Sequence, residues 1–359
     1  MRALFVTPMK HPDDPVPSGD RTIARATEHM LQRAGFETIR PDAISSWLPS
    51  PDRARMSAIE TAAAQEIARL KQQSRPDLVF AYHCYDKAPD LIGPAIAAHF
   101  DVPYIIAEAS LAKKRAQGPW APWYAHAEQA LRAAALVLMP NPQDREGVAI
   151  CCAEDCLCDW PLFIDETLWP VMPRWSRRAD THLLAVAMMR EGDKLESYRI
   201  LAAALARLDR QDWHLTLVGD GPARDAVLPL FQPFGARIAW RGQLHGMALA
   251  DAYADADLLV WPAVNEALGM IFLEAAFQGC PALAADEGGV STLVRHGETG
   301  WLVKPRDPQA FADALKTLLG QPERVDALGK AALGMAQSRT LEAAAQHFRS
   351  LLATARLFP

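Results

Sequence analysis

Short apolar runs alternate with longer amphipathic segments along this chain, and the alternation occurs twice. In the first half, runs that predict strands cover residues 2–7, 36–40, 77–82, 103–107 and 136–140. Segments that predict helices cover 22–34 and 54–71. In the second half, strand runs cover 182–187, 213–218, 236–240 and 258–261, with a helix over 195–208. Strands that alternate with helices are typical of parallel sheets, so the pattern predicts two doubly wound, Rossmann-like α/β domains.

A stretch rich in proline and tryptophan, residues 166–178, separates the two halves and predicts a linker. We therefore expect an N-terminal domain over 1–168 and a C-terminal domain over 178–345. The sequence after residue 308 is rich in alanine and leucine and predicts helix to about residue 357.

Composition and charge narrow the functional class. The chain has 359 residues, of which 50% are hydrophobic, enough for large cores. A net charge of −6 argues against a nucleic-acid partner, because such binding needs many cationic phosphate contacts. The first residues lack a secretory signal and no run is long enough to span a membrane, so we expect a cytoplasmic protein. Peripheral contact with the inner membrane is an alternative, since residues 113–123 combine basic and aromatic side chains.

Four of the six cysteines lie close together, at Cys151, Cys152, Cys156 and Cys158. The paired CxxC spacing of common zinc sites is absent, and alternate cysteines fit one buried face of a strand. We expect reduced cysteines that pack in the core, and no metal.

Two carboxylates in the stretch 261–281 are the strongest candidates for chemistry. Glu266 and Glu274 have seven residues between them, and the helix predicted after Glu266 is apolar on nearly every side. Glu274 should therefore be buried, where a carboxylate needs hydrogen-bond donors or becomes neutral. The backbone around Leu268, Gly269 and Met270 offers free N–H groups that suit an anion. For an isolated glutamate, a helix cap or a half-exposed side chain would be the simpler interpretation.

Other candidates follow predicted strands, where open parallel sheets bind their ligands. Gly19 follows the first strand, and Gly219 and Gly221 follow the strand 213–218, in turns that suit anions. None of these turns has the GxGxxG spacing, which argues against a dinucleotide-binding dehydrogenase. His83 and Glu108 also lie at strand ends, although a single histidine is more often structural than catalytic.

The Glu266–Glu274 spacing, with Gly269 inside it and GCP at 279–281, resembles the donor site of retaining GT-B glycosyltransferases of family four, the glycosyl transferases group 1. The resemblance continues through DEGGV at 286–290, HGETGWLV at 296–303 and PRDP at 305–308. It implies the GT-B fold, in which two Rossmann-like domains face an interdomain cleft. It also implies that the last helix, residues 346–359, crosses back to the N-terminal domain.

The resemblance assigns roles to individual residues. It implies that Glu266 acts at the transferred sugar, with His83 near that sugar, and that Arg190 and Lys194 clamp the donor diphosphate. Two cations of this kind neutralise a leaving diphosphate without a divalent metal. For donor binding it implies Glu274 at the ribose, together with the residues Gly19, Gly219, Gly221, Arg241, Leu268, Gly269 and Met270.

The expected function is therefore a retaining, hexosyltransferase-type glycosyltransferase (EC 2.4) that needs no metal cofactor. Its donor would be a nucleoside-diphosphate sugar, and its acceptor a glycan, a lipid-linked molecule or a small molecule. One alternative is a nucleotide-sugar 2-epimerase of the same fold, which would need no acceptor. A second is a non-catalytic nucleotide-sugar-binding protein, although such a protein has less need of Glu266, Arg190 and Lys194 together.

Overall fold

The computed structural model describes residues 1–16, 18–169, 171, 173 and 180–358. They form two compact units, of which unit 1 is Met1–Leu162 with Leu341–Pro359 and unit 2 is Phe163–Thr340. Of the predicted linker, residues 170, 172 and 174–178 lie outside the described part of the chain. The predicted start of the second domain, at 178, lies outside it as well.

Over the described residues, unit 1 contains a six-stranded parallel sheet of order β2-β1-β3-β4-β5-β6. Its strands are β1 (Arg2–Val6), β2 (Glu37–Ile39), β3 (Leu78–Tyr85), β4 (Tyr104–Ser110), β5 (Leu136–Met139) and β6 (Leu157–Asp159). The helices between them are α1 (Gly19–Arg33), α2 (Arg53–Leu70), α3 (Gly93–Phe100), α4 (Ala121–Ala133) and α5 (Arg145–Val148). The central strands are buried along nearly their whole length because helices cover both faces of a parallel sheet.

Unit 2 repeats this plan, and its described residues form a six-stranded parallel sheet of order β12-β11-β10-β7-β8-β9. Its strands are β7 (Thr181–Val186), β8 (Trp213–Val218), β9 (Ile238–Trp240), β10 (Leu258–Trp261), β11 (Ala282–Ala285) and β12 (Gly300–Val303). Its helices are α6 (Asp193–Leu205), α7 (Arg224–Phe231), α8 (Gly246–Asp255), α9 (Met270–Phe277), α10 (Pro308–Leu319) and α11 (Pro322–Gln337). The prediction of two doubly wound α/β units is confirmed.

The last helix, α12 (Leu341–Thr354), belongs to unit 1, where it packs against α1. Phe348 of α12 is fully buried, and its ring lies 5.7 Å from that of Phe80 and 6.2 Å from that of Phe36. The predicted boundary at residue 346 lies inside this helix.

The cysteines are all free thiols, and Cys151 and Cys152 pack against the hydrophobic core of unit 1. Burial raises the pKa of Cys152 to about 11, so this thiol stays neutral at physiological pH. In the basic and aromatic segment, Arg115 forms an ion pair with the buried Asp86 and lies over the ring of Trp120. No helix in the described part of the chain has the length and apolar character needed to cross a membrane.

Candidate functional site

The start of α6, which follows β7, and the loop after the adjacent strand β10 bring Lys194 and Glu266 together. These strands run parallel, with Leu258 opposite Leu183, so the loops leave the same edge of the sheet. Lys194 Nζ lies 2.5 Å from Glu266 Oε2, and the ammonium also sits 5.6 Å from the centre of the Trp261 ring. Glu266 is largely buried, at 16% side-chain exposure, whereas Lys194 is 32% exposed. The two opposite charges are partly buried, and their attraction is therefore stronger than it would be in water.

The loop that carries Glu266 is fixed to the start of α6 by further hydrogen bonds. The backbone N–H of Val264 donates to Ser197 Oγ over 3.0 Å, and Asn265 Nδ2 donates to Asp193 Oδ2 over 3.0 Å. Ala263, in the same loop, has a left-handed backbone with φ 54°, which is costly for a residue with a Cβ atom. Strain of this kind persists only where neighbouring contacts impose it, so α6 sets the position of Glu266.

Two glycines of the DEGGV motif press against the backbone of the Glu266 loop. The N–H of Gly289 donates to the carbonyl of Glu266 over 3.0 Å. A Cβ atom on Gly288 would lie 2.0 Å from that same carbonyl oxygen, and one on Gly289 would lie 2.1 Å from the carbonyl oxygen of Ala267. The motif therefore supports the loop by a close backbone approach that only glycine permits.

Gly269 lies at the N-terminus of α9 with φ 72°, a left-handed conformation that glycine adopts without strain. Leu268 and Met270 on either side are buried. Glu274, one turn into α9, is 8% exposed, and its Oε2 accepts a hydrogen bond from Tyr253 Oη over 2.8 Å. Burial raises the pKa of Glu274 to about 7, although the Tyr253 hydrogen bond opposes the rise. The predicted burial of Glu274 is confirmed.

Gly219 and Gly221 follow β8 and run beside the loop after β7. A Cβ atom on Gly219 would lie 1.9 Å from the carbonyl oxygen of Ala187, and one on Gly221 would lie 2.4 Å from that of Met189. Both positions therefore require glycine so that the two loops can pack together, independently of any ligand. The loop after β7 carries Arg190, whose side chain is exposed and is in no ion pair among the residues that the structure describes.

Arg241 follows β9, at the same edge of the sheet as Gly219. Its side chain is exposed, and its backbone N–H donates to the carbonyl of Leu217 over 3.0 Å. The carbonyl of the next residue, Gly242, accepts from the N–H of Gly219 over 2.7 Å.

In unit 1, His83 and Glu108 lie opposite each other near the carboxyl ends of β3 and β4, inside strands that extend past the predicted ends at 82 and 107. His83 Nδ1 is 3.3 Å from Glu108 Oε1 and 3.9 Å from Asp20 Oδ1. Asp20 is next to Gly19, the first residue of α1, and Ser18 caps that helix by accepting from the N–H of Arg21. Among the residues that the structure describes, one group has side chains close enough together to bind a metal ion. It consists of Asp20, His83 and Glu108, whose possible ligand atoms lie within 4.8 Å of one another.

Several residues around these positions were not among the sequence candidates. Tyr253 donates a hydrogen bond to Glu274, while Asp193 and Ser197 accept hydrogen bonds from the two residues before Glu266. Each of the three lies 21 to 72 residues away in sequence from its partner. Only folding brings such pairs together. Asp20 could have been proposed from the sequence, because it directly follows the candidate Gly19 after the first strand.

Comparison with known sequences gives a partial match. Residues 180–321 match the sequence model of the family described as Glycosyl transferases group 1. Sulfoquinovosyl transferase SQD2 of Arabidopsis thaliana is 34% identical over 140 residues, which is 38% of this chain and 27% of that relative. A D-inositol 3-phosphate glycosyltransferase of Nocardia farcinica is 34% identical over 163 residues, which is 42% of this chain and 36% of that relative. The matches thus span about a quarter to a third of these relatives.

Comparison with solved structures covers almost the whole chain. Sucrose-phosphate synthase from Thermosynechococcus elongatus superposes with a TM-score of 0.75 at 21% identity, over 99% of this chain and 100% of that one. Anabaena HepE in complex with UDP superposes with a TM-score of 0.71 at 16% identity, over 99% and 100%. These neighbours have the GT-B fold, so the predicted fold is confirmed.

Proposed function

We propose that this protein, which carries a glycosyl transferases group 1 domain over residues 180–321, is a retaining glycosyltransferase that moves a sugar from a nucleoside-diphosphate sugar to an acceptor. The observation that carries the proposal is the Lys194–Glu266 ion pair at the edge of the unit 2 sheet, in a loop that α6 and Gly288 hold in place. An ion pair on the protein surface would not need a loop that is held in a fixed position by neighbouring elements.

Each member of the pair has a distinct task in sugar transfer. The bond between the sugar and the diphosphate breaks with positive charge on the sugar and negative charge on the leaving group. Glu266 stabilises the positive charge electrostatically, and Lys194 with the exposed Arg190 neutralises the diphosphate.

Glu274 binds the ribose hydroxyls of the donor nucleotide, while the loops that carry Gly219, Gly221 and Arg241 surround the rest of it. The complex of Anabaena HepE with UDP makes UDP the first nucleotide to test. The acceptor is a glycan, a lipid-linked molecule or a small molecule, and the protein acts in the cytoplasm or at the inner membrane surface.

The division of work between the two glutamates tests the function. A thermal-shift screen of nucleotide sugars identifies the donor, and calorimetric titration with its nucleoside diphosphate then measures affinity. Glu266→Gln should lower turnover by about 10²- to 10³-fold, since it removes transition-state charge stabilisation, with little change in nucleotide affinity. Glu274→Gln should chiefly weaken nucleotide binding.

The exposed Glu298→Gln is a matched control in the same unit and should change neither quantity. If Glu274→Gln bound nucleotide like the wild type while Glu266→Gln lost binding, the assigned roles would be reversed. Release of an epimerised nucleotide sugar, without transfer, would identify the 2-epimerase instead.

We also propose that catalysis needs no divalent metal, because Lys194 and Arg190 supply the positive charge that the leaving diphosphate requires. Enzyme treated with EDTA should therefore keep its full turnover. A loss of turnover that magnesium or manganese restores would contradict this. Lys194→Ala should cost more turnover than Arg190→Ala, because Lys194 is in direct contact with Glu266.

A further inference from the structure

Six cationic side chains lie on three neighbouring segments of unit 1. The segments are residues 45–55, which lead into α2, residues 86–88 after β3, and residues 111–120 after β4. We call their joint surface the basic surface, and its cations are Arg53, Arg55, Lys87, Lys113, Lys114 and Arg115. The same segments contain two acidic residues, Asp52 and Asp86, so the surface is positive although the whole chain has a net charge of −6.

Hydrogen bonds hold the three segments side by side. The N–H of Leu48 donates to the carbonyl of Lys87 over 3.1 Å, and the N–H of Ala112 donates to Asp86 Oδ1 over 2.9 Å. Leu48 also shares a small buried cluster with Met56 of α2. The start of α2 and the two loops therefore form one continuous surface, and the positions of its cations are fixed by the fold.

Among the residues that the structure describes, five of the six cations have no ion-pair partner. Arg115 is paired with the buried Asp86, and Asp52 caps α2 by accepting from two backbone N–H groups. Arg53 and Arg55 lie in the first turn of α2, at the positive end of the helix dipole, where cations are unfavourable for the helix itself. Unpaired charges of one sign repel each other, so the surface gains stability from an anionic partner.

Two tryptophans lie within the basic surface. The ring of Trp120 is half-buried, and Lys87 Nζ and the Arg115 guanidinium lie 5.6 Å and 5.7 Å from its centre. Trp47, which precedes Leu48, is 41% exposed. An indole has an apolar body and a polar N–H, and it is enriched where lipid headgroups meet water. Single-stranded nucleic acid instead uses a series of exposed rings along a groove.

The basic surface lies at the edge of the sheet where parallel strands bind their ligands. Lys87 lies two residues after the end of β3, and Lys113 lies three residues after the end of β4. Lys113 also lines a pocket with Asp144 and Glu146, so the positive surface ends on that side. A membrane in contact with the basic surface would therefore lie next to the ligand-binding edge of unit 1.

We infer that the basic surface binds anionic phospholipid membranes, with the indole of Trp47 in the headgroup layer and the five unpaired cations near lipid phosphates. The attraction acts within about 10 Å, so acidic residues elsewhere on the chain are largely screened from the membrane. This binding does not depend on sugar transfer. For the transfer it favours a lipid-linked acceptor, a consequence that rests on the proposed function.

Vesicle binding of the full-length protein tests the inference. Flotation with phosphatidylcholine vesicles, alone or mixed with phosphatidylglycerol, should show binding that requires the anionic lipid and weakens with added NaCl. The double variant Lys113→Ser with Lys114→Ser should lower the partition coefficient about 25-fold, at about fivefold for each charge removed. Trp47→Ala should also lower it, and Trp47→Phe should lower it less, because an aromatic ring remains.

A control variant, Lys71→Ser with Lys304→Ser, removes the same charge elsewhere. Lys71 lies between α2 and the start of β3, at the opposite edge of the sheet, and Lys304 is 78% exposed in unit 2. This variant should bind vesicles like the wild type. The replaced side chains of the basic surface are exposed, so an unchanged Tm in each variant checks that the fold persists.

Three vesicle results would overturn the inference. They are no binding to anionic vesicles, equal binding to vesicles without phosphatidylglycerol, and wild-type binding by the Lys113 and Lys114 double variant. Binding to single-stranded RNA or heparin as tight as that to vesicles, with no effect of Trp47→Ala, would reveal a general polyanion site and would also overturn it. Absence of nucleoside-diphosphate binding in calorimetry would count against the proposed function instead, since that binding is assigned to unit 2.

Discussion

Glu274 shows how a single buried acid can link pH to both stability and binding. It is a carboxylic acid in an apolar helix, with Tyr253 as its hydrogen-bond donor, and burial raises its pKa from 4.5 to about 7. The folded state therefore binds a proton that the unfolded state has already lost between these pH values. Stability from this group is fully present below about pH 4.5 and is lost as the pH rises through about 7.

Replacing Glu274 by glutamine should remove this pH dependence. The difference in pKa corresponds to about 3 kcal/mol, so the variant should gain up to that amount relative to the wild type between pH 5 and 8. Calorimetric unfolding at a series of pH values measures the gain as a growing difference in Tm. The exposed Glu298→Gln should show no such trend. A constant Tm difference across this range would mean that Glu274 is ionised in the folded protein throughout.

The sequence was sufficient to predict that Glu274 is buried, because its neighbours at helical spacing are apolar. It could not identify Tyr253, which lies 21 residues earlier on α8 and meets Glu274 only through the packing of two helices. The same holds for His83 and Glu108. Their position near strand ends was predictable, although both strands extend past them, and their facing arrangement depends on strand register.

Among the elements, the buried central strands were predicted best. The strand runs 213–218 and 258–261 agree with β8 and β10 at both ends, because buried central strands are continuous apolar runs. The short strand β11, whose sequence is ALAA, was not predicted, since alanine has little strand preference. Pairing with β10 and β12 makes this segment a strand.

The contact between the loop after β11 and the Glu266 loop is a second feature that depends on tertiary structure. Gly288→Ala should place a Cβ atom 2.0 Å from the carbonyl oxygen of Glu266, at a residue with φ 66°. The Glu266 loop must then move, so turnover should fall at least tenfold and stability by more than about 2 kcal/mol. Turnover assays and denaturant unfolding measure the two effects.

Gly297→Ala distinguishes the effect of backbone strain at a left-handed glycine from the effect of the close contact with Glu266. Gly297 has a similar φ of 74° but open space around its Cβ position, so this variant should lose only about 1 kcal/mol and keep its turnover. Equal losses in the two variants would show that backbone strain alone, and not the approach to Glu266, explains the need for glycine at 288.

At the scale of the whole molecule, the chain returns to unit 1 after completing unit 2. Ile164 and Arg339, where the chain enters and leaves unit 2, are joined by a backbone hydrogen bond of 2.9 Å. Beyond that point α12 fills a place in the core of unit 1, where Phe348 meets Phe80 and Trp160. The first and last segments of the chain thus complete one hydrophobic core.

Phe348→Ala should therefore weaken unit 1, although residue 348 follows unit 2 in sequence. Removing this fully buried ring should cost about 3 to 5 kcal/mol, because the cavity cannot close completely. Hydrogen–deuterium exchange should become faster in β1 and β3, while β7 and β10 keep their protection. Phe311→Ala, at an equally buried position in unit 2, should give the opposite pattern. Faster exchange in unit 2 alone for Phe348→Ala would mean that α12 does not stabilise the core of unit 1.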